Sequence, residues 1–401
     1  MENLKGGYTK TEIGIIPEDW EVVRLDNILK ESKIIAKEPD LNKRITVRLN
    51  LKGVVKREIN TVVEKEGATV HYVRKAGQFI YGKQNLHKGA LGIIPKELDG
   101  YQSSSDIPSF DFKEGVCGMW FYYYMAQPWY YKNLEKIAKG TGSKRIHPKD
   151  LLNLKIPLPP LPEQEKIAQI LSTWDNAIEK LEELINKKIE YKKGLMEKLL
   201  SGELRFPEFK EEWEEVKLGG IFNERNERNC EDLELLAVSL NKGVVKRNEI
   251  DIKDNSSSDK SKYKRVLPND IVYNTMRMWQ GASGVSKYEG IVSPAYTVIY
   301  LKEKNYDINF FGYLFKLPKI IFKFYRYSQG LTSDTWNLKY VNFSKITVKI
   351  PTNPKEQKKI AEILTLQDKE IELLKKKLNL LKEQKKGLMQ NLLTGKVRVK
   401  V

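Results

Sequence analysis

The sequence predicts an α+β protein: two globular domains joined by two long helices that form an antiparallel coiled coil, with an internal pseudo-two-fold repeat. Three observations predict it. Residues 163–206 align without a gap on residues 356–399, at an offset of 356 − 163 = 193, and 22 of these 44 positions are identical, so one structural unit is written twice. Inside both copies the apolar residues advance by three and four, the helical period. Between the copies lie short β-like runs separated by Gly- and Pro-containing turns.

The helices come first because their periodicity is explicit. In the first copy the stripe is Leu171, Trp174, Ile178, Leu181, Ile185, Leu195 and Leu199; in the second it is Leu364, Ile371, Leu374, Leu378, Leu381, Leu388 and Leu392. A helix with half an apolar face cannot bury it alone, but two matching helices can cover each other. Leu171, Trp174, Ile178, Leu181 and Ile185 are therefore expected to pair with Leu364, Ile371, Leu374, Leu378 and Leu381. A two-fold relation between the halves makes the helices antiparallel and sends the globular domains to opposite ends. Pro162 and Pro354 stand just before the helices, where proline is tolerated. About 38 helical residues would span roughly 55 Å. Two interruptions recur: Lys192 and Lys385 fall on the stripe, and Gly194 and Gly387 follow two residues later. A helical glycine costs ~1 kcal/mol against alanine. The repeated glycines are expected to mark a kink, a helix end or a close backbone approach; equally, each long helix stops there and a short one follows.

The remaining segments repeat more faintly. "PEDWEVVRL" (17–25) answers "KEEWEEVKL" (210–218), "KGVVKRE" (52–58) answers "KGVVKRN" (242–248), "GALG" (89–92) answers "GASG" (281–284), and "KIP" introduces both helices at 155–157 and 349–351. The expected boundaries are a globular domain at 1–157, a helical spacer at 158–201, a second globular domain at 202–350 and a second spacer at 351–401. Residues 44–55, 78–82, 270–275 and 290–301 read as strands. Residues 311–328 read as a helix followed by the polar loop "QGLTSDTWN", matched in the first half by a loop around 140–147.

With 401 residues the chain exceeds one ordinary domain, and 40% hydrophobic residues can build real cores. No run approaches the ~18 apolar residues of a membrane helix, and the opening "MENLKGGYTK" has no signal-peptide core, so a soluble, cytoplasmic protein without a membrane partner is expected. Cys117 and Cys230 support neither a disulfide framework nor a thiolate metal site. The net charge of +17 attracts polyanions, above all nucleic acid, although a lysine-rich solvated surface produces the same number.

Chemistry is expected on the loops. "KQNLHKG" after one strand offers Lys83, Gln84, Asn85, His87 and Lys88; "NTMRMWQG" after the equivalent strand offers Asn274, Arg277, Trp279 and Gln280. Arg and Lys suit guanine edges, Asn and Gln adenine edges. "TGSKRIH" adds Ser143, Lys144, Arg145 and His147, and "LTSDTWN" adds Thr332, Ser333, Thr335, Trp336 and Asn337. Lys56, Arg57, Lys246 and Arg247 are candidates for holding phosphates. Any one of these also reads as an ordinary solvated loop residue. Equivalent positions with unlike side chains are what a reader of two unlike half-sites needs. No P-loop, dinucleotide fingerprint or adenine-methylation motif is present, and His71, His87 and His147 show no metal-ligand spacing.

"KIPLPPLPEQEKIAQILSTWD" and "KKGLMEKLLSGELRF", with their C-terminal twins, resemble the conserved regions of the specificity subunit of type I restriction-modification systems. The resemblance covers the whole chain; in the second copy "TNPK" replaces "LPPLP" before the E-Q pair. It implies that each globular domain reads one half of a split sequence in double-stranded DNA and that the helix pair sets the gap. It further implies two modification (methyltransferase) subunits and restriction subunits as partners. S-adenosylmethionine, ATP and Mg would then belong to those partners and no cofactor to this non-catalytic chain, in a prokaryotic cytoplasm. A free-standing DNA-binding regulator with an internal coiled coil is the alternative. A coiled-coil tether would leave the unlike polar loops unexplained, and an enzyme active alone would show its activity in an assay of the isolated chain.

Overall fold

The computed structural model describes residues 7–58, 70–140, 144–250, 256–332 and 335–401. It divides into two compact units, Met1–Glu182 with Lys377–Val401, and Glu183–Lys376. Each unit holds one globular domain, the first half of the long helix that follows it, and the last half of the other long helix.

The long helices are Leu161–Ser201 and Pro354–Leu392, of 41 and 39 residues. Both run unbroken through Gly194 and Gly387, which corrects the expected helix end. No backbone approaches either glycine: nothing lies within 4 Å of a Cβ built on it. The ~1 kcal/mol penalty of one glycine is outweighed by the packing of its neighbours, since Leu195 and Met196 lie against one domain core and Leu388 and Met389 against the other.

Ion pairs fix the sense of the pairing inside each unit. In the second unit Lys188 meets Glu370 at 2.7 Å and Lys192 meets Asp368 at 2.5 Å, so the numbering rises on one helix as it falls on the other. In the first unit Asp175 meets Lys385 and Glu182 meets Lys382, again antiparallel. Leu181, Ile185 and Ile371 are buried, and Trp174, Ile178, Leu374, Leu378 and Leu381 are half-buried. Leu171 and Leu364 belong to the domain cores. Leu171 lies with Ile167, Phe79, Trp120, Leu392 and Leu393; Leu364 lies with Ile360, Phe311, Phe315, Leu199 and Leu200. Each core therefore includes the start of one long helix and the end of the other. At ~1.5–3 kcal/mol per buried Leu or Ile, these ends weld domain to helix.

Each unit contains a four-stranded antiparallel sheet of the same order. In the first it runs Leu29–Ser32, Ser109–Phe112, Phe79–Tyr81, Leu91–Ile93; in the second Phe222–Glu224, Tyr296–Leu301, Ile271–Asn274, Ser283–Val285. The two repeated short motifs are strand partners. Glu21–Arg24 pairs with Lys155–Leu158, which carries "KIP", and Glu214–Lys217 pairs with Thr347–Ile350. A carboxylate at the start of each helix locks this corner. Glu163 accepts from the Trp20 indole at 2.8 Å and pairs with Arg398; Glu356 accepts from the Trp213 indole at 3.3 Å and pairs with Arg205.

Three expected elements are each two. Residues 44–55 turn back as the hairpin Ile45–Val47 with Val54–Lys56, because Asn50, Leu51 and Gly53 all take positive φ. Residues 290–301 split into Gly290–Val292 and Tyr296–Leu301 around Pro294, whose missing N–H suits the break. Residues 311–328 form the end of Ile308–Leu314 and then Pro318–Tyr327, because proline cannot continue the preceding helix.

Candidate nucleic-acid interface

The two loops singled out in the sequence share one backbone conformation. Asn85 at φ −129°, ψ 13° caps a short 3-10 turn, Leu86–Lys88, and Gly89 at φ 75° closes it. Arg277 at φ −129°, ψ 10° caps Met278–Gln280, and Gly281 at φ 82° closes it. Glycine is required at these closing positions because the left-handed conformation is costly for a side chain. Buried Leu86 and Met278 anchor the turns, and the side chains around them are free to differ.

In the first unit this loop is tied to the one before Pro148. Ile146 N donates to Lys83 O at 2.9 Å and the Tyr81 hydroxyl donates to Ile146 O at 3.0 Å. Lys83, Gln84, Asn85, His87 and Lys88 thus stand beside Lys144 and Arg145; Ser143 lies outside the described residues. Lys144 pairs with Glu135 at 3.1 Å, which holds the Glu135 carboxyl below its usual range, and Arg145 lies 3.6 Å from Asp106.

In the second unit the same two loops meet through aromatic rings. Trp279 stands edge-on to Trp336 at 5.1 Å, and Trp336 to Tyr325 at 4.7 Å. Hydrogen bonds divide the side chains into those held by the loop and those left exposed. The Trp279 indole donates to Met276 O, Asn274 Oδ1 accepts from Met276 N, and the Thr335 hydroxyl is engaged by both polar groups of the Thr332 backbone. Asn337 exchanges two backbone hydrogen bonds with Gln329, and Ser333 lies outside the described residues. Arg277 and Gln280 remain exposed, with only a long 3.4 Å contact between them. Both keep hydrogen-bonding capacity to spare.

Sequence reasoning missed the group behind this loop. Lys316 Nζ donates to Gly281 O and Ser283 O, both at 2.7 Å, and burial pushes its pKa down to about 8. It is a half-buried cation whose hydrogen bonds among the described residues go to these two backbone carbonyls, and nothing in "LFKLPK" marked it out. Of the expected phosphate holders, Lys246 is paired with Glu234 at 2.7 Å; Lys56 and Arg57 are exposed at the end of the Val54–Lys56 strand. Among the described residues no group of His, Cys, Asp or Glu could hold a metal ion, and no helix is long and apolar enough to cross a membrane.

The type I restriction modification DNA specificity domain matches twice, over residues 17–191 and 210–383. The chain belongs to this family. It is a type I specificity subunit with two target recognition domains, and the match accounts for both globular domains and most of both helices. The type I restriction enzyme MjaVIII specificity subunit of Methanocaldococcus jannaschii is 28% identical, over 96% of this chain and 94% of that one. In fold the specificity subunit is similar to the HsdS subunit from Thermoanaerobacter tengcongensis, with a TM-score of 0.51, 16% identity and coverage of 95% and 98% of the two chains. It is also similar to the type I restriction-modification S subunit from M. genitalium, with a TM-score of 0.54, 18% identity and coverage of 93% and 96%.

Proposed function

We propose that this specificity subunit reads a bipartite sequence in double-stranded DNA, one half through each domain, with the helix pair as spacer. The observation that carries the reading is the matched loop pair: Asn85 and Arg277 share a backbone conformation, yet the loops present Gln84 and Asn85 on one side and Arg277 and Gln280 on the other. A common frame with unlike donors and acceptors gives each domain its own base preference. Arg277 and Gln280 are assigned to base edges, with Lys56, Arg57 and Arg247 toward phosphates.

The chain itself is assigned no catalytic step. Adenine methylation belongs to two modification subunits carrying S-adenosylmethionine, and cleavage to restriction subunits using ATP and Mg, all in the prokaryotic cytoplasm. The modification subunits dock along the long helices. Support comes from Leu366 and Leu373, which stand seven residues apart on the second long helix within the second unit and are 60% and 64% exposed, apolar side chains that the intramolecular pairing leaves open.

The test is co-expression with the modification subunit and mapping of adenine methylation in host DNA. The expected result is one split motif whose second half alone changes in Arg277→Ala and Gln280→Ala. Methylation indifferent to this chain overturns the reading and favours the free-standing regulator.

A further inference from the structure

A cavity of about 350 Å³ in the first unit is lined by Glu31, Lys33, Arg74, Lys83, His147 and Lys149, among others. Its floor is unusual. Arg74 is 1% exposed, and every acceptor it has is neutral: Nε donates to Ser103 Oγ at 2.7 Å, Nη1 to Ser32 O and Ser109 Oγ at 3.0 Å, and Nη2 to Ile107 O at 2.9 Å. Four of the five guanidinium N–H groups are thereby used, none by a carboxylate; the Tyr72 ring faces the guanidinium at 5.2 Å, and Glu31 acts on it only through space. Burying an uncompensated charge is costly, so such groups are ordinarily paired. Two cations of the second unit follow that rule: Arg225 is gripped by both oxygens of Asp270 at 2.7 and 3.1 Å, and buried Lys264 meets Glu224 at 3.1 Å.

The walls carry more of the same charge. Lys33, Arg74, Lys83 and Lys149 face one carboxylate, Glu31, giving 4 − 1 = +3 around the cavity. Glu31 is already bound by Lys33 at 2.9 Å, so this one carboxylate serves four cations and the cavity keeps an excess of positive charge. Lys83 stands on the first of the two loops that Ile146 N and Lys83 O tie together and Lys149 on the short helix Pro148–Leu152 that follows the second, so the cavity opens beside the candidate reading residues. With about 30 Å³ per water, it has room for a hydrated phosphodiester.

We propose that this cavity is a phosphate-group site: Lys83 and Lys149 grip the oxygens, and the buried Arg74 supplies a fixed positive charge behind them. The group is a DNA backbone phosphate beside the first half-site, or free phosphate; only the first source rests on the function proposed above.

The test uses the full chain and the variants Lys83→Gln and Lys149→Gln, which change exposed or half-exposed side chains, with Arg74→Met added once circular dichroism shows that it folds. In one arm inorganic phosphate is titrated against chloride at constant ionic strength, followed by calorimetry. In the other, DNA carrying the mapped motif has single phosphates replaced by neutral methylphosphonates. A DNA source predicts one position where the replacement weakens the natural chain about tenfold and leaves the variants almost unchanged. It also predicts a salt slope of binding reduced by about 1 in each variant. A free-phosphate source predicts saturable phosphate binding, at least tenfold weaker in the variants, without that DNA effect. Loss of neither overturns the proposal. Phosphate binding without any DNA selectivity sinks the functional reading and leaves the site standing. DNA selectivity with neither effect does the reverse.

Discussion

Lys192 Nζ lies 2.5 Å from Asp368 Oδ1, and the same ammonium sits over the Tyr313 ring at 5.3 Å from its centre. The Tyr313 hydroxyl donates to the other oxygen of that carboxylate at 2.8 Å. The first unit repeats the triad with Lys385, Asp175 and Tyr123, where the ammonium is 5.2 Å from the ring centre and the hydroxyl donates at 2.7 Å. The lysines that interrupt the apolar stripe are therefore its register pins, because a shifted helix would strand a half-buried ammonium.

The pin has a measurable strength. Lys192 is 20% exposed and Asp368 47%, so solvent screens the pair and a double-mutant cycle of Lys192→Met with Asp368→Asn should return a coupling below about 1 kcal/mol. Replacing all four charged residues of the two triads with leucine should preserve stability and blur the pairing register. Denaturant unfolding reads the first effect; cysteine cross-linking between chosen helix positions reads the second.

Gly194→Ala and Gly387→Ala should each stabilise the isolated chain by ~0.5–1 kcal/mol, since the helices are continuous and the space around both glycines is open. Thermal unfolding checks this. If the modification subunits dock at these bare helix surfaces, the same alanines should weaken their co-purification. A gain in stability without loss of assembly would place the dock elsewhere.

Lys316→Met should relax base selection in the second half of the motif about tenfold and leave the first half untouched, because it removes the donors that hold Gly281 O and Ser283 O. In the natural chain the ammonium is lost as pH rises through about 8, so second-half selectivity should weaken between pH 7 and 9. Lys316→Arg should flatten that dependence. Methylation of motif variants at each pH provides the readout.

The C-terminal clasp should open in acid. Arg398 holds the Asp19 carboxyl below its usual value of 3.8, so the stabilisation is present above pH 3.8 and is lost as pH falls through the lowered value. Asp19 is half exposed, which keeps its contribution small. Trp20 fluorescence, reported against a background of the other tryptophans replaced by phenylalanine, should change in this window and should change less in Asp19→Asn.

The repeat, the paired helices and the matched positions of the two loops were legible in the sequence because each rests on local periodicity or on a motif written twice. Leu181, Ile185 and Ile371 lie buried where the three-and-four spacing put them. Tertiary structure decided what depends on partners distant in the chain. Leu171 and Leu364 went to the domain cores because the helix ends are buried under the sheets, and spacing along one helix cannot say which neighbour covers it. Gly194 and Gly387 stay helical because packing on either side exceeds a local penalty. Trp279, Asn274 and Thr335 became frame, and Lys316 and Arg74 became the charges behind the loops, through hydrogen bonds to residues far along the chain. Composition names the charges a chain carries; only the fold decides which of them are buried and with what they are paired.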